Sequence, residues 1–557
     1  MSRPLSAAER LPMRKRRRLL WGAVACLLAA PPVLADTALP PLEAPSTAPT
    51  PFQRQQERFR QDQDAGEVPD RVVIEGGQAR ADAPLPEDGT RFLLRGVRFD
   101  RSAFLEKALL LRLAADYVGR EIGFAELNEL VARINDRYSE RGLLTARALI
   151  PPQRIEQGVV QVRLVEGRLG ELQLEGVEYS SPSYLRGLLP VAEGEVLDVE
   201  RLARVLRYYN AGNELDLRLG LRPGGGFGET DLVLRVAEPT RNALQFFLDN
   251  AGTDNTGELQ LGVYYLRRGL FGRGDNASLF LLGSEGALSG SASYEAPVNR
   301  WGGRLQLALS NGEIEIIQGP FQALAITGES DALSLEYRQP LWLGDDWTLG
   351  GVLRASHSES TTLIDGIALT ESSVDSYGLG ARLSGGGERQ RWSLHGDLTR
   401  ITGEDILGDQ TSDLLFRGGL SWLRRLGERS YAQARGGWQY GPVAGLPASE
   451  LFQVGGVNSV RGYPQGALSG GRGYYLNLEW HWQGWRHLQP YLFVDHGAVW
   501  ADSPEHETIT AVGLGGRWQW GRHLQGELSA GHAINDVIPD QDSAQLHLRL
   551  VWATNWN

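Results

Sequence analysis

The sequence predicts an all-β transmembrane barrel of roughly 16 strands set behind two small α/β units. Three observations carry that prediction. Apolar residues alternate with a period of two through the 318 residues after Pro239, with no helical break. Before Pro239 the same short order of strand, helix, helix, strand, strand is written twice. At the start, a basic cluster runs into a short apolar stretch, and the chain's one cysteine, Cys26, lies inside that stretch.

The elements follow in chain order. Arg14-Lys15-Arg16-Arg17-Arg18 precedes an apolar run over residues 19–30, and Val33-Leu34-Ala35 offers small residues for cleavage after Ala35. Residues 1–35 therefore read as a secretory signal peptide, because about a dozen apolar residues are too few to span a bilayer. Beyond residue 35 the chain holds no cysteine, which suits an oxidising compartment. Without that segment the net charge of −12 falls to about −18, which argues against nucleic acid as a partner. No later apolar run is long enough for a membrane helix, so any membrane role falls to strands.

Residues 36–91 read as a linker that carries one polar helix near 52–64. Phe52 and Phe59 share one face of it, and Arg54, Glu57 and Arg58 make the remainder polar. Such a helix needs water or a hydrophilic lumen around it, and an unstructured polar linker is the competing reading. Residues 92–168 form the first α/β unit, with strand character over 92–99, helical periodicity over 104–113 and 124–141, and strands again over 143–150 and 159–165. Residues 169–238 repeat the order: Leu172 and Leu174 alternate, 184–188 and 199–209 are helical, and 215–221 and 232–236 close the sheet.

From 239 to 557 the texture is that of a barrel wall. Leu244/Phe246/Leu248, Leu305/Leu307/Leu309, Tyr474/Leu476/Leu478/Trp480 and Leu546/Leu548/Leu550/Trp552 define one apolar face, opposed by Gln, Ser, Arg, Glu and Gly. Alternation alone also fits a soluble sandwich. Aromatic residues clustered at strand ends, the length of the unbroken run and the secretory start favour a membrane barrel.

Within the barrel, one constellation carries charge. Val460-Arg461-Gly462-Tyr463 sits in a Gly-rich loop near 441–473, and Phe493-Val494-Asp495-His496-Gly497 lies on a later apolar strand. On that strand Phe493 and Asp495 project opposite to Leu492 and Val494, toward the lumen. Glu479 shares the polar face of the intervening strand with Asn477. A guanidinium meets a carboxylate through two parallel hydrogen bonds that lysine cannot copy. The pair is open to two readings, a brace for the barrel or a control on loop position.

Other signals are weak. Arg273-Gly274-Asp275 falls in a short turn, none of the nine histidines has zinc spacing, and no nucleophile elbow or P-loop occurs. No cofactor, metal or catalytic activity is expected.

These residues, taken in order, resemble the two-partner secretion transporters (TpsB), a family within the POTRA-plus-barrel superfamily. The similarity runs through Arg137-Tyr138-Ser139-Glu140-Arg141 to Gly167-Arg168, Leu221-Arg222-Pro223-Gly224, Leu248-Asp249-Asn250-Ala251-Gly252, the turn from Gly269 to Asp275, Val460 to Tyr463 and Phe493 to Gly497. The resemblance implies two periplasmic POTRA domains, a 16-stranded outer-membrane barrel and a surface loop folded into the lumen, with Arg461 on Asp495; the position of Glu479 beside Asn477 on the intervening strand offers a second acceptor. It further implies that the 52–64 helix plugs the pore, and that the partner is a secreted exoprotein of the TpsA type, a β-helical adhesin or haemolysin. Outer-membrane lipid surrounds such a barrel, and the barrel-assembly machinery inserts it. A barrel-assembly or insertase role is the alternative, which the count of two repeats disfavours. The final Trp552-Ala553-Thr554-Asn555-Trp556-Asn557 departs from the terminal phenylalanine of the family, so either tryptophan replaces it or the last residues trail past the wall.

Overall fold

A computed structural model describes residue 42 and residues 91–557, except 142, 144, 486, 539 and 540. The signal segment, the cleavage site and the 52–64 helix with Phe52, Arg54, Glu57, Arg58 and Phe59 lie outside the described residues.

The first α/β unit begins with β1 (Phe92–Leu93) and β2 (Gly96–Phe99), then α1 (Lys107–Ala115), β3 (Glu121–Ile122), α2 (Phe124–Glu140), β4 (Ala146–Leu149) and β5 (Val159–Glu166). β5 is central, parallel to β2 and antiparallel to β4, while β1 and β3 pair separately. α2 buries Leu127, Leu130, Ile134 and Tyr138 at helical spacing against Val160 and Val162. Its start is closed by the Glu126 carboxylate, which accepts from the Gly123 N–H at 2.9 Å. The first helix starts at Lys107 and not at Phe104, and the reason is local. Glu166 accepts from the Ser102 hydroxyl and from the Ala103 N–H (2.8 Å), and Ser102 Oγ accepts from the Leu105 N–H (2.7 Å). Those bonds hold 102–105 as a turn that precedes the helix.

Only Gly167 separates β5 from β6 (Arg168–Glu175), the first strand of the second unit. There follow α3 (Pro182–Leu188), α4 (Val199–Gly212), β7 (Asp216–Pro223) and β8 (Glu229–Ala237), with sheet order β6-β8-β7. Asp198 caps α4 by accepting from the Arg201 N–H at 2.9 Å, and the helix buries Leu202, Val205, Leu206 and Tyr209. This unit is docked on the barrel. Glu214 accepts from Arg268 and from Asn276 (2.5 Å), Arg304 donates to Asn213 Oδ1 (2.5 Å) and the Gly274 carbonyl (3.1 Å), and Tyr208 meets Trp301 edge-on.

Sixteen antiparallel strands close the barrel: β9 (Asn242–Asp249), β10 (Gln260–Arg268), β11 (Asn276–Gly283), β12 (Ala287–Pro297), β13 (Arg304–Glu315), β14 (Ile326–Leu343), β15 (Trp347–Ile364), β16 (Ile367–Gly387), β17 (Gln390–Asp405), β18 (Gln410–Gly427), β19 (Ser430–Tyr440), then β22 (Arg472–Trp482), β23 (Leu488–Trp500), β24 (Glu507–Trp520), β25 (Leu524–Ala533) and β26 (Ala544–Trp556). Between β19 and β22 the short β20 (Phe452–Val454) and β21 (Leu468–Gly470) pair only with each other. β26 closes onto β9 from Arg549↔Asp249 to Trp556↔Asn242. The terminal tryptophans thus belong to the wall, and the reading in which the last residues trail past it does not hold.

The predicted alternation settles which side faces lipid. Leu261, Leu307, Leu379, Leu478, Leu514 and Leu548 are exposed on the outer surface. Gln245, Asp249, Arg417, Asn477, Glu479 and Asp495 are buried on the inner one. Trp301, Trp342, Trp347, Trp480, Trp518 and Trp552 gather at the mouth that carries the α/β units, and Trp438 and Trp500 stand near the opposite rim. Asp275 of the Arg-Gly-Asp turn is fully buried there, accepting from the Phe271 and Arg273 N–H groups.

Candidate functional site

The long connection between β19 and β22, residues 441–471, folds into the barrel. Its stem is the β20–β21 hairpin, with Phe452↔Gly470 and Val454↔Leu468 in register. Near the base Arg417 of β18 donates to Glu450 (2.6 Å), and the Gln439 amide donates to the carbonyls of Glu450 (2.8 Å) and Gly471 (3.1 Å). The tip turns tightly, with Ser459 Oγ accepting from the Gly455 N–H at 2.8 Å and the Gly456 N–H donating to the Tyr463 carbonyl at 3.1 Å.

Arg461 leads the tip into the wall formed by β22 and β23. Period-two geometry supplies that wall: Asn477, Glu479 and His481 face inward on β22, and Tyr491, Phe493 and Asp495 face inward on β23. The register sets Asn477 opposite Asp495, Glu479 opposite Phe493 and His481 opposite Tyr491. The guanidinium spans them. Its Nε donates to Asp495 Oδ2 at 2.7 Å and Nη2 to Oδ1 at 2.8 Å, while the Arg461 backbone N–H also reaches Oδ2 at 3.0 Å. Nη1 meets Glu479 Oε1 at 2.7 Å, and the guanidinium carbon lies 3.7 Å from the centroid of the Phe493 ring. Arg461 is 3 % exposed and Asp495 fully buried, so water does not compete for these bonds.

A second layer holds the acceptors. The Asn477 amide donates to Asp495 Oδ1 (2.8 Å) and to the Ser459 carbonyl. Arg435 of β19 donates to Glu479 Oε1 (3.1 Å), and His481 Nε2 lies 2.7 Å from Glu479 Oε2. The His481 ring is stacked between Tyr431 (4.4 Å) and Tyr491 (4.9 Å). Leu42 reaches the same region of the lumen, packing against Leu423 and Tyr431.

Two glycine sites admit the loop. A Cβ on Gly497 would lie 2.4 Å from a methyl of Val454, so the glycine leaves room for the loop's apolar side. Gly531 of β25 would place a Cβ 2.7 Å from the Arg461 carbonyl, where loop and wall backbones meet directly. Val454, Val460, Tyr463, Ile509 and Ala511 form a buried apolar cluster around that contact.

Arg461, Asp495 and Glu479 therefore meet, the first two as the motif resemblance implies and Glu479 as its inward face anticipates. Asn477, Arg435, His481 and Tyr491 were not among the expected partners. Their signal was present as inward parity beside Glu479 and Asp495, but only the strand register shows that they converge.

The model of the haemolysin secretion/activation proteins ShlB/FhaC/HecB matches residues 228–518, more than half of the chain, and the ShlB-type POTRA domain model matches residues 92–167. Among curated proteins, the outer membrane transporter CdiB of Dickeya dadantii is 26 % identical over 429 residues, covering 72 % of this chain and 75 % of that protein. The heme/hemopexin transporter protein HuxB of Haemophilus influenzae is 24 % identical, covering 66 % of this chain and 68 % of its own length. Among solved structures, CdiB from Escherichia coli superposes with a TM-score of 0.64 at 20 % identity, covering 90 % of this chain and 98 % of that one. BamA from Haemophilus ducreyi, lacking POTRA domains 1–3, reaches 0.50 at 14 % identity over 83 % of this chain and 99 % of that one, a likeness of fold alone.

Proposed function

Because the chain belongs to the haemolysin secretion/activation protein family, and is an outer-membrane transporter of two-partner secretion with its POTRA region in the periplasm, we propose that its lumenal loop is the element that yields to the exported chain. The exported partner is an unfolded exoprotein of the TpsA type, an adhesin or haemolysin that becomes β-helical at the surface. The first α/β unit and its docked neighbour receive it at the periplasmic mouth, where the sheet edges β2, β4, β6 and β7 are open to an extended chain outside the stretches already bonded by Asn135, residues 194–197 and Asn210. No nucleotide-binding motif occurs in the sequence, so folding of the partner outside the cell supplies the direction.

The observation that supports this reading is the way the loop is held. Arg461, Asp495 and Glu479 fix it inside a closed barrel through bonds that each use a wall side chain and none of the wall's backbone ladder, so it can leave without the wall opening. The polar 52–64 segment acts with it as a removable plug, and the barrel-assembly machinery serves only biogenesis.

Deleting the gene tests the activity itself. Loss of one secreted partner with other outer-membrane barrels unchanged is the expected result; depleted barrels with intact secretion would favour an insertase. Within an intact barrel, Arg461→Ala is expected to insert normally, judged by heat-modifiable migration, and to reduce secretion. Parental secretion by that variant would leave the pair a brace only.

A further inference from the structure

The loop tip is fastened at a second place, on the far side of Gly462 from Arg461. Tyr463 is fully buried, and its hydroxyl lies 2.8 Å from the Asn535 carbonyl oxygen, 2.9 Å from Asn535 Oδ1 and 3.0 Å from the Thr510 carbonyl oxygen. It donates to one of these and can accept from the Thr510 and Asn535 N–H groups at 3.3 and 3.4 Å. Asn535 belongs to the surface connection between β25 and β26, outside both motifs that define the Arg461 pair.

The orientation of the Asn535 amide is fixed by its own bonds. Nδ2 donates to the Thr508 carbonyl at 2.7 Å, which leaves Oδ1 facing Tyr463 and the Thr510 N–H (3.3 Å). The turn around it is closed by Gln541, whose side-chain oxygen accepts from the Val537 N–H at 3.0 Å and whose amide donates to the Asn535 carbonyl at 3.4 Å. Val537 packs from the same connection onto the apolar cluster of Val454, Val460 and Tyr463. Polar and apolar contacts thus join the surface connection to the lumenal loop at one point.

We infer that Asn535 is a positioning residue for transport: with Tyr463 it latches the lumenal loop to the surface connection between β25 and β26, so displacement of that connection releases the loop. The inference rests on the loop being the element that moves aside, yet the latch can be read without measuring transport. Arg461 fixes the tip to the wall from the inside, and Asn535 fixes it from the exit. An emerging chain that displaces the β25–β26 connection weakens the second hold while the first is still made.

The test uses the full chain in intact cells with a reporter thiol at Val460→Cys, a position fully buried while the loop is docked. Maleimide labelling is compared with and without Tyr463→Phe, which removes only the hydroxyl, and Asn535→Ala. Each is expected to raise the labelling rate about threefold to tenfold, the effect of one net hydrogen bond on a docking equilibrium. The double variant should label no faster than Tyr463→Phe alone, since loss of the hydroxyl already removes every bond between the tip and Asn535, through Oδ1 or through its carbonyl. Heat-modifiable migration must stay parental, which separates loop release from a damaged barrel. Parental labelling in both single variants overturns the latch, and so does an additive double variant. Arg461→Ala in the same background separates the readings. If it secretes normally, loop control of transport fails, while the labelling rates still decide whether Asn535 holds the loop.

Discussion

Along the wall from β12 to β17, lumenal charges form a ladder whose ion pairs all lie within the sheet. Glu295 takes Arg304 and Arg338, Arg338 also reaches Glu336 at 3.3 Å, Glu336 takes Arg354 at 2.7 Å, and Arg354 reaches Asp397 at 3.1 Å. Along the wall from β19 to β23, the same residue types join the sheet to a loop: Arg435 and Arg461 share Glu479, and Arg461 also holds Asp495. The ladder is partly wet, with the Arg354 side chain 32 % exposed, whereas the Glu479 and Asp495 side chains are fully buried. In the ladder most rungs have a second partner, and Arg338 and Arg354 reach solvent, so losing one is absorbed. At the loop no water can replace a lost partner, and the bonds lost are the ones that hold the loop in place. Identical chemistry stiffens one wall and, on the function proposed above, makes a releasable catch of the other.

Asp495→Ala should produce the largest difference between the walls. It strips Arg461 of two side-chain bonds and one backbone bond and leaves Asn477 with only the Ser459 carbonyl. Removing one member of a buried ion pair costs about 3–5 kcal/mol, enough to undock the loop from most molecules. Protease cleavage within residues 441–471 on intact cells measures it, and Asp397→Ala on the ladder is the matched control. Equal cleavage in the two variants would erase the distinction.

Arg461→Lys is the next effect in size. The charge remains, but the planar fork that serves Asp495 and Glu479 together is lost, along with close stacking on Phe493. A loss of about 1.5–3 kcal/mol in docking is expected, as for hydrogen bonds to charged groups. Lysine that protects the loop as well as arginine would mean that charge alone holds it.

How much of this contrast could be read from the chain depends on distance along it. The lipid face was legible, because Leu478, Trp480 and Leu492 sit at strict alternate positions. So were Asp495 and Glu479 as inward groups. The linkage of Arg461 to Asp495 came from motif resemblance, and the linkage to Glu479 from parity on the intervening strand. The Tyr463–Asn535 contact spans 72 residues between two irregular segments, where no periodicity constrains either end. The ladder was hidden for another reason. Each of its residues has inward parity, but which arginine meets which carboxylate depends on cross-strand register, such as Arg354 opposite Glu336, that alternation alone does not set.

The smallest effect belongs to Arg354→Gln. After it, Glu336 still holds Arg338 at 3.3 Å, and Asp397 still accepts from the Thr399 hydroxyl at 3.1 Å. Solvent reaches the site, so the loss should be within about 1 kcal/mol, with barrel migration, loop cleavage and secretion close to parental. The variant nonetheless probes whether the walls are independent. Arg354 lies on a chain of pairs running through Arg338, Glu295 and Arg304 to Asn213, at the face where the second α/β unit docks. If Arg354→Gln exposed the loop to protease as Asp495→Ala should, the ladder would be transmitting the state of the periplasmic unit to the loop. Unchanged cleavage would confine release to the catch around Arg461.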